Sequence, residues 1–351
     1  MKLHIAGGCG EHGRNCFFVN AGEQSFMVDC GIAKGSSNPF PGLTKEEIQK
    51  CSVLFLTHSH SDHTGAIEWI KNNGFTGDII ASEETLKQIR LSGEKVIPLE
   101  SVSADKKGSY KGIGFRYGRS GHCIGSVWYC FDFQGKCLLF TGDYHEDSCY
   151  YQCDKIRNIK ADLAVIDCAY GWEKKTYRAY LNELVKFLES VPDEKTIVLP
   201  VPEYGRGQEI ARELGKRYNN IEIYGDIHYC RETKKSGQYS PWISDIRYAD
   251  SEKKDFGNKK IMFISDPQLK EPEHRNHIED ILNNGGYAVM TGHADSHSFS
   301  AKLIELGKMK QVRFPVHMNY QDYLDLCEKN RFHYTILFHS EDFCEREFYD
   351  I

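Results

Sequence analysis

The stretch Leu56-Thr57-His58-Ser59-His60-Ser61-Asp62-His63-Thr64-Gly65 constrains this chain more than any other, because it sets three imidazoles and a carboxylate within six residues. It follows the apolar run Val53 to Leu56, which reads as a buried strand, and precedes Ala66, Ile67, Trp69 and Ile70, which read as a helix. The polar cluster therefore sits on a strand-to-helix loop. There His58 and His60, two positions apart, can point to one side, while Asp62 and His63 crowd the start of the helix. Imidazole beside carboxylate suits zinc or a similar borderline ion, and four donors exceed what one open catalytic ion takes from a single loop. The spacing points to two ions. The alternative is a surface loop that happens to be rich in histidine, but such spacing is rarely structural.

Composition narrows the class. At 351 residues the chain can bury a large core, as one large domain or two ordinary ones. No run of about 18 apolar residues is present to cross a bilayer as a helix. The start, Met1 to Gly8, turns glycine-rich before a secretory apolar stretch forms, so a cytoplasmic location without membrane association is expected. The 13 cysteines are scattered and form no Cys-x-x-Cys pair, which favours reduced thiols over a disulfide framework or a zinc ribbon. A formal charge of −6 offers no general attraction for phosphate, yet two divalent ions would add positive charge locally.

Taken in order, Leu3 to Ala6 and Cys16 to Val19 read as strands, the second forming a hairpin with Phe26 to Val28. Asp29 ends that hairpin and is read as a brace for a neighbouring loop. Thr44-Lys45-Glu46-Glu47 is a capping-box start, and Ser82 caps a later helix. Residues 105 to 119 hold Lys106, Lys107, Lys111, Arg116 and Arg119 against Asp105 alone, and are read as a solvated hairpin. Val127 to Phe133 and Cys137 to Phe140 form a hairpin about Gln134-Gly135. Its two outer ends carry His122 and Asp143. An antiparallel pair brings those ends together, beside glycines that allow close backbone approach, so both are read as metal ligands. The strand Leu163 to Ile166 likewise ends on a carboxylate, Asp167.

An amphipathic helix follows with Tyr180, Leu181, Leu184, Val185 and Leu188 on one face, and strand then alternates with helix to about residue 285. Within that stretch, roughly Arg231 to Lys260 is read as loop-rich. A strand ends at Thr291-Gly292-His293, and Val312 to Val316 is expected to be a strand ending on His317. Among the other histidines, His145 is read as a surface residue in preference to one lining the cleft, and His297 as either a phosphate contact or a helix cap. His4, His12, His228, His274, His277, His333 and His339 show no partner pattern. Arg206, in a glycine-rich turn, either grips phosphate or braces the fold.

Assembled, these pieces resemble the metallo-β-lactamase superfamily, through Thr57 to His63, the later His122 and the later Asp143. The match narrows to the β-CASP nucleases through Asp167 with Ala169-Tyr170-Gly171, Gly205-Arg206-Gly207-Gln208-Glu209, Thr291-Gly292-His293 and Phe314-Pro315-Val316-His317. The opening Gly7 to Asn15 is similar to the RNase J branch. The resemblance implies an α/β protein: an αββα sandwich from residues 1–172 and 286–351, with a small α/β domain inserted at 173–285. That insert is short for the family, and no RNase J-type C-terminal domain follows His317 in the sequence.

Carried over residue by residue, the resemblance implies that His58, His60 and His122 hold one Zn2+. Asp62, His63 and His317 would hold the second, Asp143 would bridge, and Mn2+ could substitute. Asp167 and His293 correspond to the family's acidic and histidine motifs beside the metals. The leaving ribose oxygen needs a proton, and His293 held by Asp167 is the expected donor, with Asp62 beside the nucleophilic water. Substrate contacts are expected from Arg206 and His297. The implied activity is hydrolysis of RNA phosphodiester bonds. DNA, a small ester or thioester, and a non-catalytic binding role are the alternatives, and monomer and homodimer stay equally open.

Overall fold

The computed structural model describes residues 1–219, 221–235, 243, 254–255, 257–343 and 346–351. They fall into two compact units, each interrupted in sequence. The first comprises Met1–Glu146, Cys153–Lys174 and His317–Ile351; the second comprises Asp147–Gln152 and Lys175–Val316.

In the first unit, β1 (Lys2–Gly7), β2 (Cys16–Ala21), β3 (Gln24–Val28), β4 (Val53–Phe55), β5 (Asp78–Ala81) and β6 (Val96–Pro98) lie side by side in chain order. The pairing is antiparallel up to β3 and parallel from β3 to β6. The change follows from the connections: a two-residue turn joins β2 to β3, whereas helical crossovers separate the later strands. These crossovers are α1 (Lys45–Lys50), the short α2 (Ser61–Thr64) with α3 (Ile67–Asn72), and α4 (Glu83–Ile89). Thr44 caps α1 with a complete capping box, and Ser82 caps α4.

A second seven-stranded sheet follows, again with its first members in chain order: β7 (Ser103–Ala104), β8 (Lys107–Tyr110), β9 (Ile113–Arg119), β10 (Val127–Phe133), β11 (Lys136–Phe140) and β12 (Lys160–Asp167). Alternation along β10 sends Tyr129, Phe131 and Phe133 inward. There Phe131 packs on Phe26, Phe55 and Phe140, which cements the two sheets face to face. The lysine-rich hairpin is present as expected, and its charges find acids far away in sequence: Lys106 and Arg119 meet Asp154, and Lys111 meets Asp78.

The second unit holds a parallel sheet. Its strands are β13 (Thr196–Pro200), β15 (Glu222–Gly225), β17 (Lys260–Ile264), β18 (Tyr287–Met290) and β19 (Met309–Gln311), in the order β15-β17-β13-β18-β19. A small two-stranded ladder joins β14 (Tyr218–Asn219) to β16 (Lys254–Asp255). Helices α5 (Tyr177–Ser190), α6 (Arg206–Arg217), α7 (Ile227–Lys235), α8 (Pro272–Asn283) and α9 (Phe299–Glu305) accompany it. Leu181, Leu184 and Leu188 of α5 enter one core with Ile197, Ile210 and Phe263.

The chain re-enters the first unit with α10 (Tyr320–Glu328), β20 (Arg331–Phe338) beside β12, and β21 (Phe348–Asp350) beside β1. The outer faces of the two sheets are covered by helices: Ile48, Ile67 and Leu86 pack on Leu54 and Ile79, and Leu326 packs on Leu139 and Leu337. This is the expected αββα sandwich.

Three sequence expectations differ. The strand at 287–290, placed by the sequence in the returning part of the sandwich, is hydrogen-bonded to β13 in the second unit's sheet. Val312–Val316 is not a full strand: β19 ends at Gln311, backbone bonds run on from Val312 N to Met290 O and from Phe314 N to Thr291 O, both at 2.9 Å, and Pro315 then offers no N–H to continue them. The loop expected from Arg231 to Lys260 lies largely outside the described residues, and its beginning, Arg231 to Lys235, belongs to α7.

Candidate metal centre

Several strands of the first unit end on donor side chains that share one edge. The histidine loop follows β4, Asp143 follows β11, Asp167 closes β12, and His339 follows β20 directly. His122 lies between β9 and β10. Backbone hydrogen bonds pin the histidine loop: Asn15 N donates to Asp62 O at 2.8 Å, Cys30 N to His63 O at 2.8 Å and Ile32 N to Ser61 O at 3.1 Å. Gly31 makes that approach possible, since a Cβ there would stand 1.6 Å from Asp62 O.

Asp143 organises the cluster. Its Oδ2 lies 3.3 Å from His58 Nε2 and 3.4 Å from His122 Nε2. Its Oδ1 lies 3.1 Å from His63 Nε2 and 3.2 Å from His339 Nδ1. One oxygen thus faces one histidine group and the other oxygen a second. Three overlapping sets of donor atoms result, each within 4.8 Å: His58, His60, His122 and Asp143; Asp62, His63, Asp143 and His339; and Asp143, Asp167, His317 and His339.

The far nitrogens are held from behind. Asp29 Oδ2 accepts from His63 Nδ1 at 2.7 Å and from Thr57 Oγ1 at 2.8 Å, while its Oδ1 accepts from Thr57 N at 2.7 Å. Asp29 is therefore the brace its position at a strand end implied, and it turns His63 Nε2 toward Asp143. Thr57 Oγ1 in turn lies 3.1 Å from His58 Nδ1.

Burial, with help from the neighbouring His58, pushes the His60 imidazole down to about 3, and burial also holds His122 well below its usual range. Both are neutral rings with a lone pair to give. Burial opposes ionisation of Asp62 and Asp143, but His63 and the other surrounding imidazoles outweigh it and keep both carboxyls well below the ordinary range. The same carboxylates raise His63 and His339 against their own burial. Within this cluster, His58 Nε2, His60 Nε2 and Asp143 Oδ1 are buried and make no hydrogen bond. Buried polar atoms are almost always satisfied, so donors gathered with their lone pairs unspent fit divalent cations.

The sequence-derived residues are distributed as follows. His58, His60, His122 and Asp143 come together as expected, as do Asp62, His63 and Asp143. The imidazole completing the Asp62 group is that of His339, whose Nε2 is 3.2 Å from Asp62 Oδ2, in place of the expected His317. His317 instead points Nδ1 at Asp167 Oδ2, at 3.2 Å, and stands 3.7 Å from Asp143 Oδ2. Asp167, fully buried, also accepts from Tyr144 N, Met318 N and Ala169 N. The partner expected for it, His293, belongs to the second unit and is exposed there. His297 is exposed as well, and the cap of α9 is Ser298. Arg206 packs its guanidinium against Gly292, where a Cβ would stand within contact of Nη1, and its Nε is buried without a hydrogen bond. His145, expected at the surface in preference to the cleft, is buried at 5 % exposure, and its backbone N–H donates to Ser120 O.

The missed residue is His339. Its signal was present: Thr335 to Phe338 is an apolar run ending directly on a donor, the pattern that singled out Asp167.

Two stacked sheets with helices on both outer faces, and a histidine–aspartate cluster at one strand edge, define a metallohydrolase sandwich. The chain belongs to the metallo-beta-lactamase superfamily, whose family model matches residues 9–191. It is 22% identical to an RNase J-like protein of Methanocaldococcus jannaschii, over 94% of this chain and 89% of the relative. A probable RNase, MJ4, of the same organism is 23% identical over 83% of this chain and 72% of its own length. Cleavage and polyadenylation specificity factor 73 of Drosophila melanogaster is 23% identical over 60% of this chain, which spans only 35% of that larger protein. These relatives are β-CASP nucleases. A crystal structure of a protein of unknown function from Enterococcus faecalis V583 shares the fold, with a TM-score of 0.62 at 11% identity, covering 97% of this chain and 94% of that one.

Proposed function

We propose that this protein is a zinc-dependent hydrolase of RNA phosphodiester bonds, with manganese able to replace zinc. The observation carrying the proposal is the division of Asp143, with one carboxylate oxygen toward His58 and His122 and the other toward His63 and His339. A carboxylate between two imidazole groups is what a pair of cations needs as a bridge. His58, His60 and His122 would hold the first ion, and Asp62, His63 and His339 the second. Two such ions supply an activated water and charge neutralisation at phosphorus.

The chain's own groups do the rest. Asp62, ionised and partly exposed, accepts a hydrogen bond from the attacking water and so orients it. His317, positioned by Asp167, is the side chain of this unit suited to hand a proton to the departing ribose oxygen. His293 remains the acid proposed from the family resemblance, and the two assignments separate cleanly: loss of cleavage in His293→Ala with retention in His317→Ala selects His293, and the converse selects His317. RNA is favoured over DNA because the relatives carry RNase names. We read the unit around Lys175–Val316 as the inserted β-CASP domain and, from the free thiols, a cytoplasmic location.

The test incubates the protein and an Asp62→Ala control with zinc or manganese and with RNA and DNA labelled at the 5′ end or internally. Mononucleotides from the 5′ end or discrete internal fragments, seen with RNA and absent in the control, support the reading. Cleavage of DNA alone redirects it, and cleavage equal to the control refutes it.

A further inference from the structure

Away from the metal centre, the hairpin of β10 and β11 carries two thiols with a cation beside them. In its register Cys130 opposes Leu139 and Cys137 opposes Asp132, so the cysteines are diagonal neighbours on one face of the sheet. Their sulfurs stand 3.2 Å apart. Reaching the disulfide length of about 2.05 Å asks each side chain for roughly half an ångström of movement. On the other side of β10, Arg116 of β9 lies directly opposite Cys130 and directs Nη2 to its sulfur at 3.5 Å.

Arg116 forms no ion pair with a carboxylate among the described residues, and its Nε is buried without a hydrogen bond. A partly buried guanidinium ordinarily takes an anionic oxygen as partner, and here the groups it faces are the two sulfurs. The hydrogen bond from Cys137 and the charge of Arg116 bring the Cys130 thiol down to about 7 against its burial, while Cys137, left holding the shared proton, is driven upward. Cys16 and Cys30 are a second pair of interacting thiols, but both are buried, and burial together with Cys30 drives Cys16 upward. Burial drives Cys51, Cys123 and Cys168 upward, and Cys153 to about 12. Cys137 is only partly buried, which opens the pair to a small oxidant.

We infer that Cys130 and Cys137 form a reversible dithiol–disulfide site, oxidised by hydrogen peroxide or a small organic hydroperoxide. The thiolate of the pair attacks the O–O bond, forming a sulfenic acid and expelling hydroxide or alkoxide, which takes up a proton. The second thiol then attacks the sulfenic sulfur; the S–S bond forms, and the hydroxyl leaves with the thiol proton as water. Two thiols and one peroxide thus become one disulfide, one alcohol or water, and one further water. A small dithiol reverses the step by exchange.

The experiment treats the full-length protein with stoichiometric hydrogen peroxide, blocks remaining thiols with an alkylating agent, and digests with trypsin. Lys136 lies between the cysteines, so cleavage after it separates them unless they are crosslinked. The expected result is a Cys130–Cys137 linked peptide pair, located by fragment spectra and lost on treatment with dithiothreitol. Arg116→Met should slow its formation on the order of tenfold near pH 7, by lowering the thiolate fraction. Cys137→Ser, at a partly exposed position, should abolish the crosslink. Equal alkylation of Cys130 and Cys137 before and after peroxide, while exposed Cys230 is oxidised, overturns the inference. So does an unchanged rate in Arg116→Met. The wild-type measurement needs no variant to fold.

Discussion

Asp143 bears the greatest burden of any single residue, since a buried carboxylate with four imidazole nitrogens within 3.4 Å is tolerable only where positive charge is gathered around it. Asp29 is the support most open to test, because it makes no contact with Asp143 and acts through His63 and Thr57. Asp29→Asn should weaken zinc binding roughly 10–100-fold, read by isothermal titration, while leaving the circular dichroism spectrum unchanged. The two late histidines separate the alternatives for the second ion. His339→Ala should drop one ion per chain as counted by native mass spectrometry, whereas His317→Ala should keep both; the opposite pattern returns His317 to the ligand set. Legibility at this scale was uneven for a physical reason. His58, His60, Asp62 and His63 share one loop, so spacing alone exposed them. His339 and His317 are 22 residues apart and both follow apolar runs, and only the parallel pairing of β20 with β12 decides which one reaches the Asp62 group.

At the scale of elements, donors are delivered by strand ends while the strands themselves are fixed by aromatic packing between the sheets. Phe131, fully buried against Phe26, Phe55 and Phe140, is the central contact, and Phe131→Ala should cost about 3–5 kcal/mol in urea denaturation. The lysine-rich hairpin is tied down by Asp154, which accepts from Arg119 and Lys106. Burial alone would raise Asp154, but those partners hold its carboxyl down at about 2. A carboxyl depressed in the folded state stabilises the fold fully above its unfolded value of about 4, and that contribution fades as pH falls from there through about 2. Asp154→Asn should therefore lower stability at pH 6, and the gap from wild type should shrink by pH 3, as measured by urea titration at each pH. Hairpins and caps were legible because Gln134-Gly135, Thr44-Lys45-Glu46-Glu47 and Ser82 act locally. The stretch after Gln311 was legible only in part, because an apolar run reads as a full strand although the hydrogen bonding ends after Phe314, where Pro315 has no N–H to give.

For the whole molecule, the sandwich and the parallel-sheet unit are joined by repeated passage of the chain, and the first unit alone contains every donor of the three sets. The second unit, with Arg206 braced on Gly292, carries the family's remaining motifs without contributing to those sets. Metal occupancy should accordingly be insensitive to Arg206→Ala, whereas cleavage of RNA should fall if Arg206 meets phosphate; a loss of ions in that variant would reassign it to the centre. The central claim is that one carboxylate holds two cations together, and ions per chain, counted by native mass spectrometry after loading with zinc, tests it most directly. Wild type should carry two and Asp143→Asn no more than one. A wild-type chain with fewer than one ion, or a variant that keeps both, would contradict the account.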